Sequence, residues 1–458
     1  MNILKRAKAW LSGSSRSFDG ASAGRRGRSF GRMPSQPKAQ LAGRFELAAR
    51  ARYIASNNAV AAAAVDAWVS ALVGTGIKPQ SAHRSVRIRG RLNLSWESWT
   101  DRADADGLGD LYALTALMAK RTVIDGECFA MLINEGKELK VRLLDPEQVD
   151  SALTRELSDG GRIVSGIEFN RSGVRVAYHV RKEIAGTALQ YTTDRVIAAD
   201  MLHMFRVDTP GQVRGITWFA PVLSRIAHLD AWIDAQLTKQ AAAAMLVGIV
   251  TPGDNVDGWE GEALGDALEP GTIKVAPLGS DGITFSDPPT VGMDAIEFAK
   301  IIEREIAAGI GLPAWQVSQD LSQANYGSQR GGLIEFRRRV EQLQYGMIVF
   351  QFLRPLWVRW SATEILSGRL TANEQEAAAA KWIAPKTAWI DPLKDSQAEL
   401  AAISGGIMSR REAVTSRGID IEALDAEIAA DNERASRLGL KFNVPANSNT
   451  PPEVVEAA

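Results

Sequence analysis

Val222-Leu-Ser-Arg-Ile-Ala-His-Leu-Asp-Ala-Trp-Ile-Asp-Ala-Gln-Leu-Thr-Lys-Gln-Ala-Ala-Ala-Ala-Met-Leu-Val247 contains neither glycine nor proline. With Phe219 before it, its apolar residues recur three or four apart, through Val222, Leu223, Ile226, Leu229, Ile233 and Leu237 to Met245. That spacing predicts one helix of ~26 residues with a single apolar stripe, roughly 39 Å long at about 1.5 Å per residue. Gly248 and Pro252 stop it, and a turn-rich stretch runs on to Gly292. Ile296, Ala299, Ile302, Ile306 and Ile310 then restore a helical period. Two long helices with an insert at their tip predict an elongated stalk.

Outside the stalk, 458 residues with 45% apolar content allow two or three domains with sizeable cores. The 53 basic and 54 acidic residues nearly cancel, which argues against a dedicated polyanion binder. A single Cys128 excludes an internal disulfide framework and fits a reducing compartment. No apolar run reaches the ~18 residues that would span a bilayer, and Met1-Asn-Ile-Leu-Lys-Arg-Ala-Lys8 lacks the apolar centre of a secretion signal. A soluble intracellular protein with no membrane partner is expected.

Residues 1–44 carry ten Lys or Arg against Asp19 alone, with Ser and Gly between, and predict a disordered basic arm. A helix is expected from Asn57 to Val73 and another through Leu111, Leu114, Met118 and Arg121. Strand periodicity follows: Cys128–Ile133 and Leu139–Leu144 about a turn at Asn134–Gly136, then Ile163–Phe169 and Val174–Val180 about Asn170–Gly173, then Met201–Phe205. This is an α+β domain. Within the stalk's insert, Thr272–Ala276 and Ile283–Phe285 predict a hairpin turning at Ser280-Asp-Gly282. A polar loop covers 311–329, and a helix through Leu333, Phe336, Val340, Met347 and Phe350 should kink at Pro355. Ser409-Arg-Arg-Glu412 reads as a capping box, and 443–458 as a disordered tail.

Catalytic patterns are scarce. Gly20-Ala-Ser22-Ala-Gly24 spells a nucleophile elbow but lacks the strand and helix that would strain its serine. The only Gly-Lys pair, Gly136-Lys137, lacks the upstream glycine of a phosphate loop. His83, His179, His203 and His228 show no metal-binding spacing, and Asp104-Ala-Asp106-Gly107 lacks two ligands of a calcium loop. No metal and no cofactor are implied. Asp104, Asp106, Asp125 and Glu127 could in principle serve a carboxylate-dependent or metal-dependent hydrolase or nuclease, but no convergent site is legible.

Several short motifs occur in a fixed order: Arg50-Ala-Arg52 with Asn57-Asn58, Val73-Gly-Thr-Gly76-Ile-Lys-Pro79, Asp125-Gly-Glu127, and Leu143-Leu-Asp-Pro146-Glu147. Gly166-Ile-Glu168, Ala177-Tyr-His179, His203-Met-Phe205 and Pro210-Gly-Gln-Val-Arg214-Gly215 continue the order. Ile306-Ala-Ala-Gly309-Ile-Gly311-Leu-Pro313, Asn325-Tyr326, Asp391-Pro392 and Ser409-Arg410 complete it. Over residues 45–440 the chain resembles the lambda-like family of tailed-bacteriophage portal proteins. Gly327 departs from the Ser that often follows the Asn-Tyr pair there.

The resemblance implies a non-enzymatic virion protein, assembled in the host cytoplasm as a ring of usually twelve copies at one capsid vertex. Double-stranded DNA would pass through it, and the terminase motor, capsid and head–tail adaptor proteins would dock on it. In that scheme 45–217 is an α+β wing, 218–247 and 293–310 the two stem helices, and 248–292 a small α/β clip. Residues 311–329 form a tunnel loop, 330–370 a long kinked wing helix and 371–442 a helical crown. Gln316, Gln319, Asp320, Gln323, Asn325 and Tyr326 would face DNA, and Ile226, Leu229, Ile233, Ile302 and Ile306 would join copies through the stem. Near-neutral charge suits a channel, since a dense basic lining would grip the DNA.

Overall fold

The computed structural model describes residues 35–183, 191–245, 249–252, 280–284, 292–322, 326–385 and 392–440. The expected arm before residue 35, the elbow-like serine, most of the insert, Gln323, Asn325, Asp391 and the tail lie outside them. The chain mixes helix and sheet. In order come α1 (Gln36–Asn57), α2 (Ala59–Leu72), β1 (Lys78–Ser81), α3 (Val86–Thr100), α4 (Leu111–Asp125), β2 (Glu127–Glu135) and β3 (Glu138–Leu144). Next are β4 (Arg155–Glu156), β5 (Arg162–Val164), β6 (Ile167–Phe169), β7 (Arg175–Glu183), β8 (Tyr191–Ile197) and β9 (Met201–Phe205). Then follow α5 (Leu223–Met245), β10 (Ile249–Pro252), β11 (Ser280–Thr284), α6 (Met293–Ile310), α7 (Ala314–Ser318) and α8 (Tyr326–Leu343). After a π-helical stretch at Gln344–Leu353 come α9 (Arg354–Leu366), α10 (Glu374–Ala377), β12 (Ala380–Ile383), α11 (Pro392–Ser404), α12 (Arg410–Ser416) and α13 (Ile421–Leu438).

Two compact units share this chain: 1–68, 117–132 and 143–323 in one, 69–116, 133–142 and 324–458 in the other. In the first, β4 to β8 form an antiparallel sheet in sequence order, and β2 pairs with β9. Phe129, Ile167, Phe169, Tyr178, Val180 and Met201 pack between these strands as one apolar cluster. In the second, Trp96, Trp99, Trp357 and Trp360 stack with ring centroids 4.9–6.1 Å apart. Such pairs contribute roughly 0.5–1.5 kcal/mol each beyond their burial.

Several boundaries differ from the sequence reading. Helix α1 begins at Gln36, so the last nine residues assigned to the arm belong to a helix. The next helix starts at Ala59, because Asn58 leaves helical geometry and caps it by accepting the Ala61 N–H at 3.0 Å. Ile163–Phe169 is two strands, since Ser165 and Gly166 (φ 51° and 79°) make a turn between β5 and β6. Ser280-Asp-Gly282 lies inside β11, where Ile283 pairs with Val250; Thr272–Ala276 falls outside the described residues. Ahead of Pro355, which can donate no N–H, the helix widens to π winding and Arg354 N–H reaches Val349 O. The capping box is present as its first half: Ser409 accepts the Glu412 N–H at 3.1 Å.

Candidate functional site

Asp125, Gly126 and Glu127 end α4 and begin β2. Both carboxylates are fully buried, and each is held by arginines from distant parts of the chain. Arg214 Nε donates to Glu127 Oε1 and Oε2 at 2.8 and 3.0 Å, and Gly215 N–H donates to Oε2 at 2.7 Å. Arg44, on α1, reaches Oε1, and His203 Nε2 lies 3.1 Å from Oε2. Arg214 spends its remaining donors on the carbonyls of Ser165 (2.6 Å) and Pro146 (3.0 Å), and its guanidinium lies 5.1 Å from the Phe129 ring centre. Beside it, Asp125 accepts Arg52 Nε–H at 2.6 Å on one oxygen, and Arg121 Nε pairs electrostatically with the other at 2.7 Å. Arg52 also reaches Glu147, and Arg121 lies 3.1 Å from Asp145. A third cluster joins Glu168 to Arg195 through two bonds of 2.8 Å and to His179 at 3.0 Å.

Burial alone would push the Glu127 carboxyl up, but the charges of Arg214 and Arg44 outweigh it and hold it well below the usual carboxylate range. Burial pushes Asp125 up, against the pull of Arg121 and Arg52. Environments that separate two carboxyls in this way can mark an acid–base pair. Here neither carboxylate is exposed to a substrate, and arginines occupy both. Asp104 accepts the N–H groups of Asp106, Leu108 and Gly109, and Asp106 pairs with Arg142 at 3.0 Å, both in the other unit. Each of the four acids weighed for a hydrolase is therefore engaged by arginines or backbone N–H groups of its own unit. Among the described residues no group of three or more His, Cys, Asp or Glu is arranged to hold a metal ion.

His203 is stacked 4.2 Å from Phe129 and 4.4 Å from Phe205. Burial lowers its pKa to about 4, against the opposing pull of Glu127. The folded state therefore holds it neutral where the unfolded chain binds a proton. Its contribution is complete above about pH 6.5 and falls as pH drops toward 4, by up to roughly 3 kcal/mol. Denaturation midpoints should fall between pH 6.5 and 4, and His203→Gln should flatten that dependence.

The stalk is an antiparallel helix pair within one chain. Trp232 and Phe298 rings lie 5.7 Å apart, Arg225 pairs with Glu305 at 3.3 Å, and Val222 packs where a Cβ on Gly309 would sit 2.3 Å away. Residue numbers rise along α5 as they fall along α6. At the base, Trp68 Nε1 donates to Ile310 O at 3.2 Å and meets Trp218 edge-on at 4.8 Å. Asn58 reaches Asp230 at 3.1 Å. Ile226, Leu229, Ile302 and Ile306 are buried within the single chain, and Ile233 alone of that set is exposed. Most of the residues expected to join copies through the stem are therefore already covered by their own chain. Among the described residues, the outward apolar side chains of the pair include Ile233, Leu237, Ile296, Phe298 and Ile301.

The polar stretch after the stalk is less loop-like than its composition suggests. Gly311 ends α6 in the left-handed region (φ 85°), Leu312 and Val317 are buried, and α7 makes Gln316 half-buried. Gln319, also left-handed (φ 57°), terminates α7. From there Gln319 to Ser322 are exposed, with Asp320 3.6 Å from Lys300 and accepting the Ser322 N–H at 2.9 Å. Tyr326 opens α8. Of the site residues assigned to the loop, Gln316 thus lies in α7, Gln319 and Asp320 in a short exposed segment and Tyr326 at the start of α8.

Motifs that look independent in the sequence supply the partners of Asp125 and Glu127, and the Glu168–His179 pair forms a cluster of its own. Arg52, Glu147, Glu168, His179, His203, Arg214 and Gly215 all belong to the charge clusters described above. Residues 23–344 match the lambda family of phage portal proteins. A probable portal protein of Halomonas phage phiHAP-1 is 23% identical over 376 residues, 77% of this chain and 72% of the relative. Portal protein B of Escherichia phage lambda is 24% identical over 339 residues, 66% of this chain, which spans 63% of that relative's length. A solved neck of an empty GTA particle, computed with C6 symmetry, is 16% identical with a TM-score of 0.47, covering 91% of this chain and 97% of that one. The match covers most of the chain, which belongs to the lambda family of phage portal proteins.

Proposed function

We propose that this chain assembles into a ring at one capsid vertex, through which DNA is packaged and later released. Family membership over residues 23–344 carries the reading. On it, the ring has about a dozen copies, as the family resemblance implies, and terminase and head–tail proteins dock on it in turn. The α+β part up to residue 217 is the wing, α5 and α6 the stem, 248–292 the clip, 330–370 the long wing helix and 371–442 the crown.

Joining copies needs surface that one chain leaves open. The stem offers it in Leu237, Ile296, Phe298 and Ile301, each between 42% and 63% exposed. Such outward residues on a thin helix pair suit burial against a neighbour. Ile226→Asp would place a carboxylate in the chain's own core and so report on folding. Phe298→Asp with Ile301→Asp should instead give folded single copies and no rings by sizing chromatography with light scattering. Rings of unchanged size would remove the stem from the contact.

The exposed segment Gln319–Ser322 is the part of the polar stretch best suited to meet DNA. Neutral amides and hydroxyls contribute about 1 kcal/mol net per hydrogen bond because water competes. Gln319→Lys adds a charge once per copy, and counterion release then favours a held strand. Packaging rates at low salt should fall with assembly intact, and recover as salt is raised. The ring itself is tested by negative-stain images of purified protein. Rings with a central hole support the reading, and dispersed single copies at high concentration oppose it.

A further inference from the structure

Helix α3 turns Leu92, Trp96 and Trp99 inward. Its opposite face presents Arg87, Arg91, Leu94 and Glu97, all exposed, with Leu94 69% open to water. Among them sits Gly90, a residue that weakens a helix, and a Cβ there would meet nothing within 4 Å. The chain's own packing gives no reason for a glycine at this place, whereas close approach of another backbone would.

Helix α13 poses the complementary problem. Ile421 is buried, but from Asp425 to Leu438 every residue except Ala435 is exposed. A helix open on all sides draws almost nothing from packing, which is where most helical stability in proteins arises. Its side chains Glu427, Asp431, Arg434 and Arg437 stand at the same i, i+4, i+7, i+10 spacing as Arg87, Arg91, Leu94 and Glu97. Reading both helices from their N-terminal ends, one runs from basic to acidic and the other from acidic to basic.

We propose that α13 of one copy lies parallel to α3 of the next, with Arg87 against Glu427, Arg91 against Asp431 and Glu97 against Arg437. Leu94 then covers the aliphatic stem of Arg434, and Gly90 lets the backbones approach. Asp431, already 3.7 Å from Arg434 in its own helix, is shared with Arg91. The antiparallel alternative sets Arg87 against Arg437 and Arg91 against Arg434, so charge fixes the direction. A copy's own α13 begins on the other flank of α3, where Glu422 takes Arg89 at 2.6 and 2.9 Å. Two different faces meeting make a head-to-tail contact, the kind that builds a ring when the rotation between copies closes. This inference rests on the ring reading and adds which faces meet.

Cys128, the sole cysteine, is buried and its thiol is pushed up to about 12 by burial, so introduced cysteines can be followed without interference. The full chain carrying Leu94→Cys and Arg434→Cys, oxidised with copper phenanthroline, should give a ladder of dimers, trimers and larger species on non-reducing gels. Arg87→Cys with Arg437→Cys should not. In parallel, Arg87→Glu with Arg91→Glu should raise the concentration for half-assembly at least about tenfold. Adding Glu427→Arg and Asp431→Arg should restore it to within about threefold. Wild-type rings with no ladder and no effect of charge reversal would reject this contact and leave the ring standing. A wild-type chain that stays single by light scattering would reject both.

Discussion

Glu127→Gln should destabilise the first unit by about 3–5 kcal/mol, because it leaves Arg214 and Arg44 buried with no compensating charge. The amide nearly preserves the shape of the carboxylate, so the loss measures charge and hydrogen bonding rather than a cavity. Arg214 cannot shed its proton to escape, and its side chain is fully covered. Urea unfolding, read by the buried Trp68 and Trp218, should show the shift as a lower midpoint. The triple change Arg44→Met, Glu127→Gln, Arg214→Met should be less damaging than Glu127→Gln alone, since it removes the stranded charges as well. If the single variant unfolds at the wild-type midpoint, the cluster contributes nothing net.

Gly126→Ala should be worse, beyond about 4–5 kcal/mol, and yield little folded protein. Gly126 has φ 92°, and a Cβ there would stand 2.1 Å from the carbonyl carbon of Ile216. Across from it, a Cβ on Gly215 would stand 2.1 Å from Gly126 O, so the two backbones touch with no room for a methyl on either side. Gly136 supplies the control: it also has positive φ, 63°, but open space around its Cβ position. Gly136→Ala should therefore cost only the left-handed strain, about 1–2 kcal/mol. Soluble yield and thermal midpoint of the pair separate steric exclusion from strain. Equal losses in the two variants would contradict the close approach.

The stalk helices are legible because apolar spacing reports directly on helical period: α5 (Leu223–Met245) falls within the stretch Val222–Val247 and α6 covers 293–310. What period cannot say is which surface covers a stripe: Ile226 and Leu229 are buried by their own chain, whereas Ile233 and Leu237 are left exposed. The roles of Asp125 and Glu127 were hidden for a different reason. The partners of Glu127 at His203 and Arg214 lie 76 and 87 residues away, and no local spacing encodes a salt bridge of that separation. A signal was present in the ordered motifs, whose charged members proved to be one another's partners. The polar stretch after Gly311 misled through composition: Val317 and Leu312 bury enough apolar surface to hold a short helix despite the Gln and Ser around them.

The interleaving of the two units bears on how the protein is made. Residues 69–116 leave the ribosome early but belong with 324–458, and residues 1–68 belong with a segment reaching 323. N-terminal-first folding, the usual order during synthesis, is therefore closed to the first unit until residue 323 has emerged, and to the second until the segment from 324 onward is made. Arg44 must wait for Glu127, and Glu127 for Arg214, before the charges are matched. A chain terminated before residue 323 therefore ends with both units unfinished.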